Sequence, residues 1–437
     1  LYYGNVRTLE LKQFYREREE TFLDVRDNEN VKWLKGNRYF IWSSEKDGWR
    51  HLYRVSRDGK EECLVTRGDF DVIEVKSVDE NGGYVYYIAS PESAVERYLC
   101  RSRLDGKGKA EKLTPEPFRG THSYDIAPGA RFALHSYSNN CTPNVYEMIS
   151  LPEHRTVRIL EDNAELKRKY DSFGFLPREY FQVEIGEAVL DGWMTKPKNF
   201  DPSLKYPVIF YVYGEPASST VTDVWRQGDL WNQVLASQGY IVMSVDPRGT
   251  NNPKGRNWRK CIYGKVGVIP PEDHAAAVKI IRERYPFVDA SRIGVWGWSG
   301  GGSSTAHLMF KFPDVYSVGI AVAGVYSQYL YDTIYQERYM GLPSENPEGF
   351  RDGSPINFAS GLKGDLLLIH GTGDDNVHYQ SCEMLVDELV KQNKIFSMMT
   401  YPMRSHSISE RKNTTYHLYQ TMLKFWQEHL PAGGRHN

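Results

Sequence analysis

Between Arg292 and Thr305 the chain reads R-I-G-V-W-G-W-S-G-G-G-S-S-T, with five glycines crowded around two tryptophans and Ser299. Glycine this dense serves either to cradle a phosphate or to let the backbone turn sharply. A phosphate loop needs Lys and then Ser/Thr directly after its last glycine, so that the ammonium reaches the phosphates. Here Ser303 and Ser304 follow Gly302, with no lysine. The glycine spacing of a dinucleotide site is also missing. What fits is Gly297-Trp298-Ser299-Gly300-Gly301, the G-x-S-x-G of a nucleophile elbow. In that turn the serine stands on a strained backbone angle, and small residues two before and two after it keep the flanking strand and helix apart. Ile293 and Val295 alternate like a buried strand, and Thr305 to Phe312 reads as a helix closed by Pro313.

A serine hydroxyl at its ordinary pKa is a poor nucleophile, so a base must take its proton and an acid must orient that base. After an elbow serine the chain order is acid, then histidine. Of twelve histidines, His378 is too close to the candidate acids, His417 and His429 fall in a helical pattern, and His436 is in the tail. His406 remains, in the polar loop Arg404-Ser-His-Ser-Ile-Ser after the apolar run Phe396–Tyr401. The acid should end the preceding strand. Leu366–Ile369 runs into His370-Gly-Thr-Gly-Asp374-Asp375-Asn376-Val377-His378, where spacing alone admits either aspartate.

These residues need a scaffold. Val208–Val212, Ile241–Val245, Ile293–Val295, Gly319–Val322 and Leu366–Ile369 are continuous β-runs. Helical stretches Pro271–Tyr285, Tyr379–Gln392 and Thr414–Leu430 lie among them. Strands alternating with helices predict a parallel sheet covered on both faces, here an α/β-hydrolase domain over 173–437. Before it, past a linker at Glu161–Pro177, the sequence repeats itself. Tyr39-Phe-Ile-Trp-Ser recurs as Tyr84-Val-Tyr-Tyr-Ile and as Arg131-Phe-Ala-Leu-His. Leu52-Tyr-Arg-Val recurs as Tyr98-Leu-Cys-Arg and Val145-Tyr-Glu-Met, at steps of 46 and 47 residues. Leu64-Val-Thr recurs as Lys112-Leu-Thr and Arg158-Ile-Leu, and Asp58-Gly59 and Asp105-Gly106 mark hairpin turns. Short strands at a period of about 45 residues predict four-stranded propeller blades. Three are clear and a partial one falls in residues 1–30, so 1–172 is expected to be a partial β-propeller whose first blades lie upstream. The opening Leu-Tyr-Tyr-Gly, without Met, reads as a processed or truncated piece.

Composition excludes several classes. A net charge of −2 favours neither nucleic acid nor an anionic membrane surface. No run approaches the roughly 20 apolar residues of a membrane span. Five scattered cysteines have neither metal spacing nor a disulfide framework and read as small buried residues.

Three stretches carry a resemblance: Trp296-Gly-Trp-Ser-Gly-Gly, Tyr331-Asp-Thr-Ile-Tyr-Gln-Glu-Arg-Tyr-Met-Gly-Leu-Pro343 and His370-Gly-Thr-Gly-Asp-Asp-Asn-Val-His378. Over essentially its whole length the chain resembles the prolyl oligopeptidase family of serine peptidases, nearest the dipeptidyl peptidase IV subgroup. The resemblance implies Asp374 as the acid beside His406 and Ser299, with Asp375 holding the loop. It implies an oxyanion hole from the Gly300 N–H and the Tyr213 hydroxyl. By spacing, Tyr331 and Tyr335 would share one helix face, a pattern that suits a core stripe. The resemblance instead makes them walls of a pocket for a proline-like side chain, completed by Val325 and Val377, with Asn376 bonding a substrate carbonyl.

Two departures predict a looser pocket: Gly300 where the subgroup commonly has an aromatic, and Gln328 in place of a tryptophan. The family's amine-gripping glutamate pair is assigned to no residues here and is expected in the blades upstream. Glu19-Glu20 and Glu61-Glu62 sit in charged, turn-like contexts and read as solvated. The expected function is a serine exopeptidase releasing X-Pro or X-Ala dipeptides through an acyl-enzyme at Ser299, without metal or cofactor. The rivals are an acylaminoacyl peptidase or esterase of the same family, and a non-catalytic propeller binding protein. A peptide is the expected partner. Family analogy adds a homodimer and a periplasmic or secreted location.

Overall fold

The computed structural model describes residues 1–24, 31–116, 118–226 and 229–436. It divides into two compact units: Leu1–Lys169 with Thr222–Trp225 and Asn252–Lys260, and the remainder from Tyr170 onward.

The first unit holds three four-stranded antiparallel sheets, each with its strands in sequence order. They comprise Val31–Trp33, Tyr39–Ser44, His51–Ser56 and Glu62–Leu64; then Val72–Asp79, Tyr84–Ala89, Tyr98–Arg103 and Glu111–Lys112; then Thr121–Ile126, Phe132–Asn139, Thr142–Ser150 and Arg155–Glu161. The repeated sequences fall on equivalent strands of the three sheets, as propeller blades require. Alternation along Tyr84–Ala89 shows why the runs are apolar on both faces. Val85, Tyr87 and Ala89 pack with Ile41 and Leu52 of the first sheet. Tyr86 and Ile88 pack with Tyr124, Ile126 and Ile149 of the third. With period-2 side chains, a sheet stacked on both sides has no polar face. Gly59 and Gly106 take φ of 72° and 70°, as their hairpin turns need. The expected partial blade is represented by a separate two-stranded sheet, Tyr2–Gly4 paired with Leu11–Gln13; residues 25–30 of that stretch lie outside the described residues.

Glu19 is not on a solvated face. Arg256 Nε donates to its Oε2 at 2.9 Å and Lys260 Nζ at 3.1 Å. Hydrogen bonding from Arg256 lowers its carboxyl to about 2, against a smaller opposing effect of burial. The neighbouring Arg259 bridges Glu45 and Asp71, all three buried. All five cysteines are free; Cys100 and Cys382 are buried, the others only half-buried.

Helix Ala164–Ser172 occupies the expected linker. Its A-E-L-K-R-K run is made of strong helix formers, and the Asp162 carboxylate accepts the Ala164 N–H at 2.9 Å.

The second unit is built on an eight-stranded sheet. Its order is Glu179–Ile185, Ala188–Thr195, Ile241–Val245, Tyr206–Tyr211, Val288–Trp298, Val318–Val322, Asp365–Gly371 and Ser397–Tyr401. The first two strands are antiparallel and the rest run parallel from Ile241–Val245 onward. Helices cover both faces, and two glycines show it. A Cβ on Gly294 would lie 2.6 Å from Trp426 of helix Thr414–His429. One on Gly319 would lie 2.6 Å from Met309 of helix Gly300–Lys311. Gly319 pairs with Val295, one residue on from Gly294, so the two glycines face opposite sides of the sheet.

Candidate active site

Ser299 ends strand Val288–Trp298 and stands at φ 60°, ψ −121°, a strained conformation for a side-chain-bearing residue. Its N–H donates to Val322 O at 2.9 Å, which ties the turn to the next strand. The glycines around it answer to close backbone contacts. A Cβ on Gly297 would come 2.4 Å from Val212 O, and one on Gly301 2.2 Å from the same atom. The helix begins at Gly300, five residues before the expected Thr305. Three glycines in its first turn hide it from a propensity reading. The close approach of Val212 and Val322 requires Gly301 and Gly302 there, despite the roughly 1 kcal/mol per glycine that a helix loses.

The structure brings His406 and Asp374 together. His406 Nδ1 lies 2.8 Å from Asp374 Oδ2. The loop after Asp365–Gly371 carries the acid, and the loop after Ser397–Tyr401 carries the histidine; these are adjacent strands. Trp298 Nε1 donates to the His406 carbonyl at 3.0 Å, anchoring that loop beside the elbow. No hydrogen bond joins the Ser299 hydroxyl to His406, so the imidazole is held by its acid and its other nitrogen is unengaged among the described residues. In unliganded sites such bonds commonly tighten only with substrate bound.

Asp374 Oδ1 accepts the N–H groups of Asn376 and Val377 at 3.0 and 2.9 Å. Asp374 therefore both faces His406 and holds its own loop, while Asp375, expected to hold it, is exposed and makes no hydrogen bond among the described residues. His370, fully buried, contributes Nε2 at 2.9 Å from Val377 O and 3.3 Å from Asp374 Oδ2. Burial alone would raise the Asp374 carboxyl; hydrogen bonds from His370, His406 and the Asn376 N–H outweigh it and hold the group well below the carboxylate range. His370 opens the quoted His370–His378 stretch, yet spacing gives no reason to assign it a role.

Tyr213 follows strand Tyr206–Tyr211, and its carbonyl accepts the Ser304 hydroxyl at 2.7 Å. That fixes its backbone against the elbow helix. Its phenol donates to nothing among the described residues, and burial followed by the nearby Glu215 raises it well above a tyrosine's usual range, so it stays protonated.

Tyr331 and Tyr335 do not share a helix. Asp332 caps helix Thr333–Met340 by accepting the Tyr335 N–H at 2.8 Å, which leaves Tyr331 extended ahead of it. The rings still meet edge to face, with centroids 5.2 Å apart. The Tyr331 hydroxyl donates to Asn376 Oδ1 at 3.2 Å, which links it to the loop that carries Asp374. Val325 and Val377 are buried, and the Val325 N–H donates to Ser303 Oγ at 2.8 Å, one turn from Ser299. Gln328 opens no gap. It is buried, donates to Gly353 O at 2.8 Å and accepts from Gln336 at 2.6 Å.

The space beside Gly300 is also filled. A Cβ there would lie 2.7 Å from the Glu215 carboxyl carbon. Glu215 is buried, and the Tyr335 hydroxyl donates to its Oε2 at 2.9 Å. Sequence reasoning passed over Glu215, although it stands in the same Tyr211–Pro216 run as Tyr213.

Comparison with known proteins bears on the same residues. Residues 227–433 match the family model described as the prolyl oligopeptidase family, and residues 2–144 match the dipeptidyl peptidase IV N-terminal region. The chain belongs to the prolyl oligopeptidase family. Within the family it is similar to a probable dipeptidyl-aminopeptidase B of Emericella nidulans, 36% identical over 370 residues, covering 83% of this chain and 40% of the relative. It is as similar to the dipeptidyl-aminopeptidase B of Aspergillus niger, 36% identical over 371 residues, with 83% and 40% covered. The crystal structure of Porphyromonas gingivalis dipeptidyl peptidase 4 superposes with a TM-score of 0.92 at 35% identity, over 98% of this chain and 60% of that one. The chain thus spans 40% of the length of the curated family members it matches.

Proposed function

We propose that this chain carries the catalytic half of a serine peptidase that removes dipeptides from the N-terminus of peptides, cutting after proline or a small residue. The observation that supports it most is the 2.8 Å contact of His406 Nδ1 with Asp374 Oδ2 beside a serine held at positive φ. An ionised acid accepting Nδ1–H leaves Nε2 with its lone pair, ready to take a proton. Ser299 Oγ attacks the carbonyl carbon as His406 takes the hydroxyl proton. The tetrahedral oxyanion accepts hydrogen bonds from the Gly300 N–H and the Tyr213 hydroxyl. His406 then gives its proton to the leaving amine and the C–N bond breaks. Water, deprotonated by His406, attacks the acyl-enzyme; Ser299 regains its proton and the acid product leaves. Tyr331, Tyr335, Val325 and Val377 wall the side chain before the cut, and Asn376 orients the peptide.

That two relatives are named dipeptidyl-aminopeptidases and a structural neighbour dipeptidyl peptidase 4 supports the exopeptidase reading. The test is hydrolysis of Gly-Pro and Ala-Pro chromogenic amides beside N-blocked versions, with fluorophosphonate labelling of the parent and of Ser299→Ala. Cleavage of the free-amine amides and labelling lost in Ser299→Ala are expected. Equal labelling of both proteins would sink the assignment of the nucleophile. A homodimer accompanies this reading by family analogy, and light scattering measures it directly.

A further inference from the structure

The pocket beside the elbow contains a carboxyl group that the chemistry above does not use. Glu215 follows the positive-φ residue Gly214, which turns the chain after Tyr213 back toward the elbow. Its carboxyl occupies the volume next to Gly300, the residue directly after the nucleophile. The side chain is 94% buried, since 6% of the residue is exposed. Oε2 accepts the Tyr335 hydroxyl. Oε1 accepts no hydrogen bond, and no Lys, Arg or His pairs with the group among the described residues. The titratable groups facing it are phenols: Tyr335, with Tyr213 and Tyr331 close enough to feel its charge. All four residues around this carboxyl, Gly300 included, are thus proposed pocket or oxyanion residues.

A buried acid with one bare oxygen is costly unless something donates to it. Nothing among the described residues donates to Oε1. A bare proline ring would not either, but an amine on the substrate side chain would pair its charge and satisfy Oε1. We propose that Glu215 is a specificity-determining residue, which makes the pocket for the side chain before the cut favour one that carries an amine over an apolar one of the same shape. The inference rests on the peptidase reading above. It also accounts for Gly300: any larger residue there would have to displace the carboxyl. Burial pushes the Glu215 carboxyl up to about 7, with the Tyr335 hydrogen bond pulling the other way. The preference should therefore strengthen as pH rises through neutrality.

The experiment compares kcat/KM for Gly-Lys and Gly-norleucine 4-nitroanilides, equal in length and different in the amine, on the parent and Glu215→Gln. Charge-assisted hydrogen bonds predict a Lys:norleucine ratio of about 10 or more in the parent at pH 8, falling toward 1 in the variant. An unchanged ratio in an active variant would overturn the proposal. So would an equal loss on both substrates, which would point to the substrate's N-terminal amine as the group bound. Should Glu215→Gln not fold, the parent decides alone. Its ratio should rise severalfold between pH 5.5 and 8.5, and a flat ratio refutes the role. Failure of the underlying reading looks different: no amide is cleaved and fluorophosphonate labels Ser299→Ala as well as the parent.

Discussion

Replacing Asp374 by Asn tests the proposed catalytic arrangement most sharply, because one oxygen becomes an NH2 in a site where every neighbour is a donor. Oδ1 can keep the N–H groups of Asn376 and Val377, so the loop retains its shape. The new NH2 must then face His406 Nδ1 and His370 Nε2, which approach Oδ2 at 2.8 and 3.3 Å. His370 Nε2 still has Val377 O at 2.9 Å. His406 has no other acceptor among the described residues, so it must turn its lone pair to the amide and carry its proton on Nε2. That tautomer cannot take the Ser299 proton. For an acid in this role the expected loss is about 10⁴ in kcat, or about 5.4 kcal/mol at 1.36 kcal/mol per decade. A buried charge-assisted contact is lost as well, at about 1–3 kcal/mol, which corresponds to roughly 2–10 °C in melting temperature for a unit of this size. The assays are kcat on Ala-Pro 4-nitroanilide and the melting curve of the same preparation. A variant within tenfold of the parent in kcat, at any melting temperature, would refute the assignment of Asp374 as the orienting acid. The same carboxyl links stability to acid. Its folded pKa lies below the unfolded value, so its stabilisation is present at neutral pH and is lost as pH falls below the ordinary carboxylate range toward the folded value.

Three further outcomes are expected. Tyr213→Phe removes one oxyanion donor without changing the ring, and should lower kcat by about 10²–10³ with KM little altered; an unchanged kcat would remove the phenol from the mechanism. Gly301→Ala puts a methyl 2.2 Å from Val212 O, a backbone atom that cannot swing away, and should lose stability at or beyond the upper end of the about 1–3 kcal/mol typical of overpacking, read from the urea midpoint. Glu215 has the opposite linkage to Asp374. Its folded value of about 7 lies above the ordinary 4.5, so the parent loses stability as pH rises between those values. Glu215→Gln should gain melting temperature relative to the parent across that window, and a constant difference would count against a buried, bare carboxyl.

Much of this was legible in the sequence because it is periodic or locally ordered. The repeat of about 45 residues predicted the four-stranded sheets, since each strand alternates with period 2 and the middle sheet packs against a neighbour on each face. The order Ser299, Asp374, His406 follows from the topology of a parallel sheet, whose successive strands deliver their loops to one edge. Local spacing failed where a side chain outside the window decided the conformation. Tyr331 and Tyr335 suited a helix face until Asp332 capped the helix between them. The helix after Ser299 was hidden by three glycines that only the approach of Glu215, Val212 and Val322 explains.

The sequence by itself determined the architecture and the order of the candidate site residues, because hydrophobic period and turn chemistry are written along the chain. Tertiary structure decided the partners. It chose Asp374 over Asp375 by turning one carboxylate inward to two histidines and leaving the other in solvent. It put Glu215 into the space beside Gly300 and bound Gln328 to Gly353 and Gln336. It drew Glu19 out of an apparent surface run to meet Arg256 and Lys260, more than two hundred residues away. Each of these depends on which side chains meet across distant segments, and no local window of sequence contains that information.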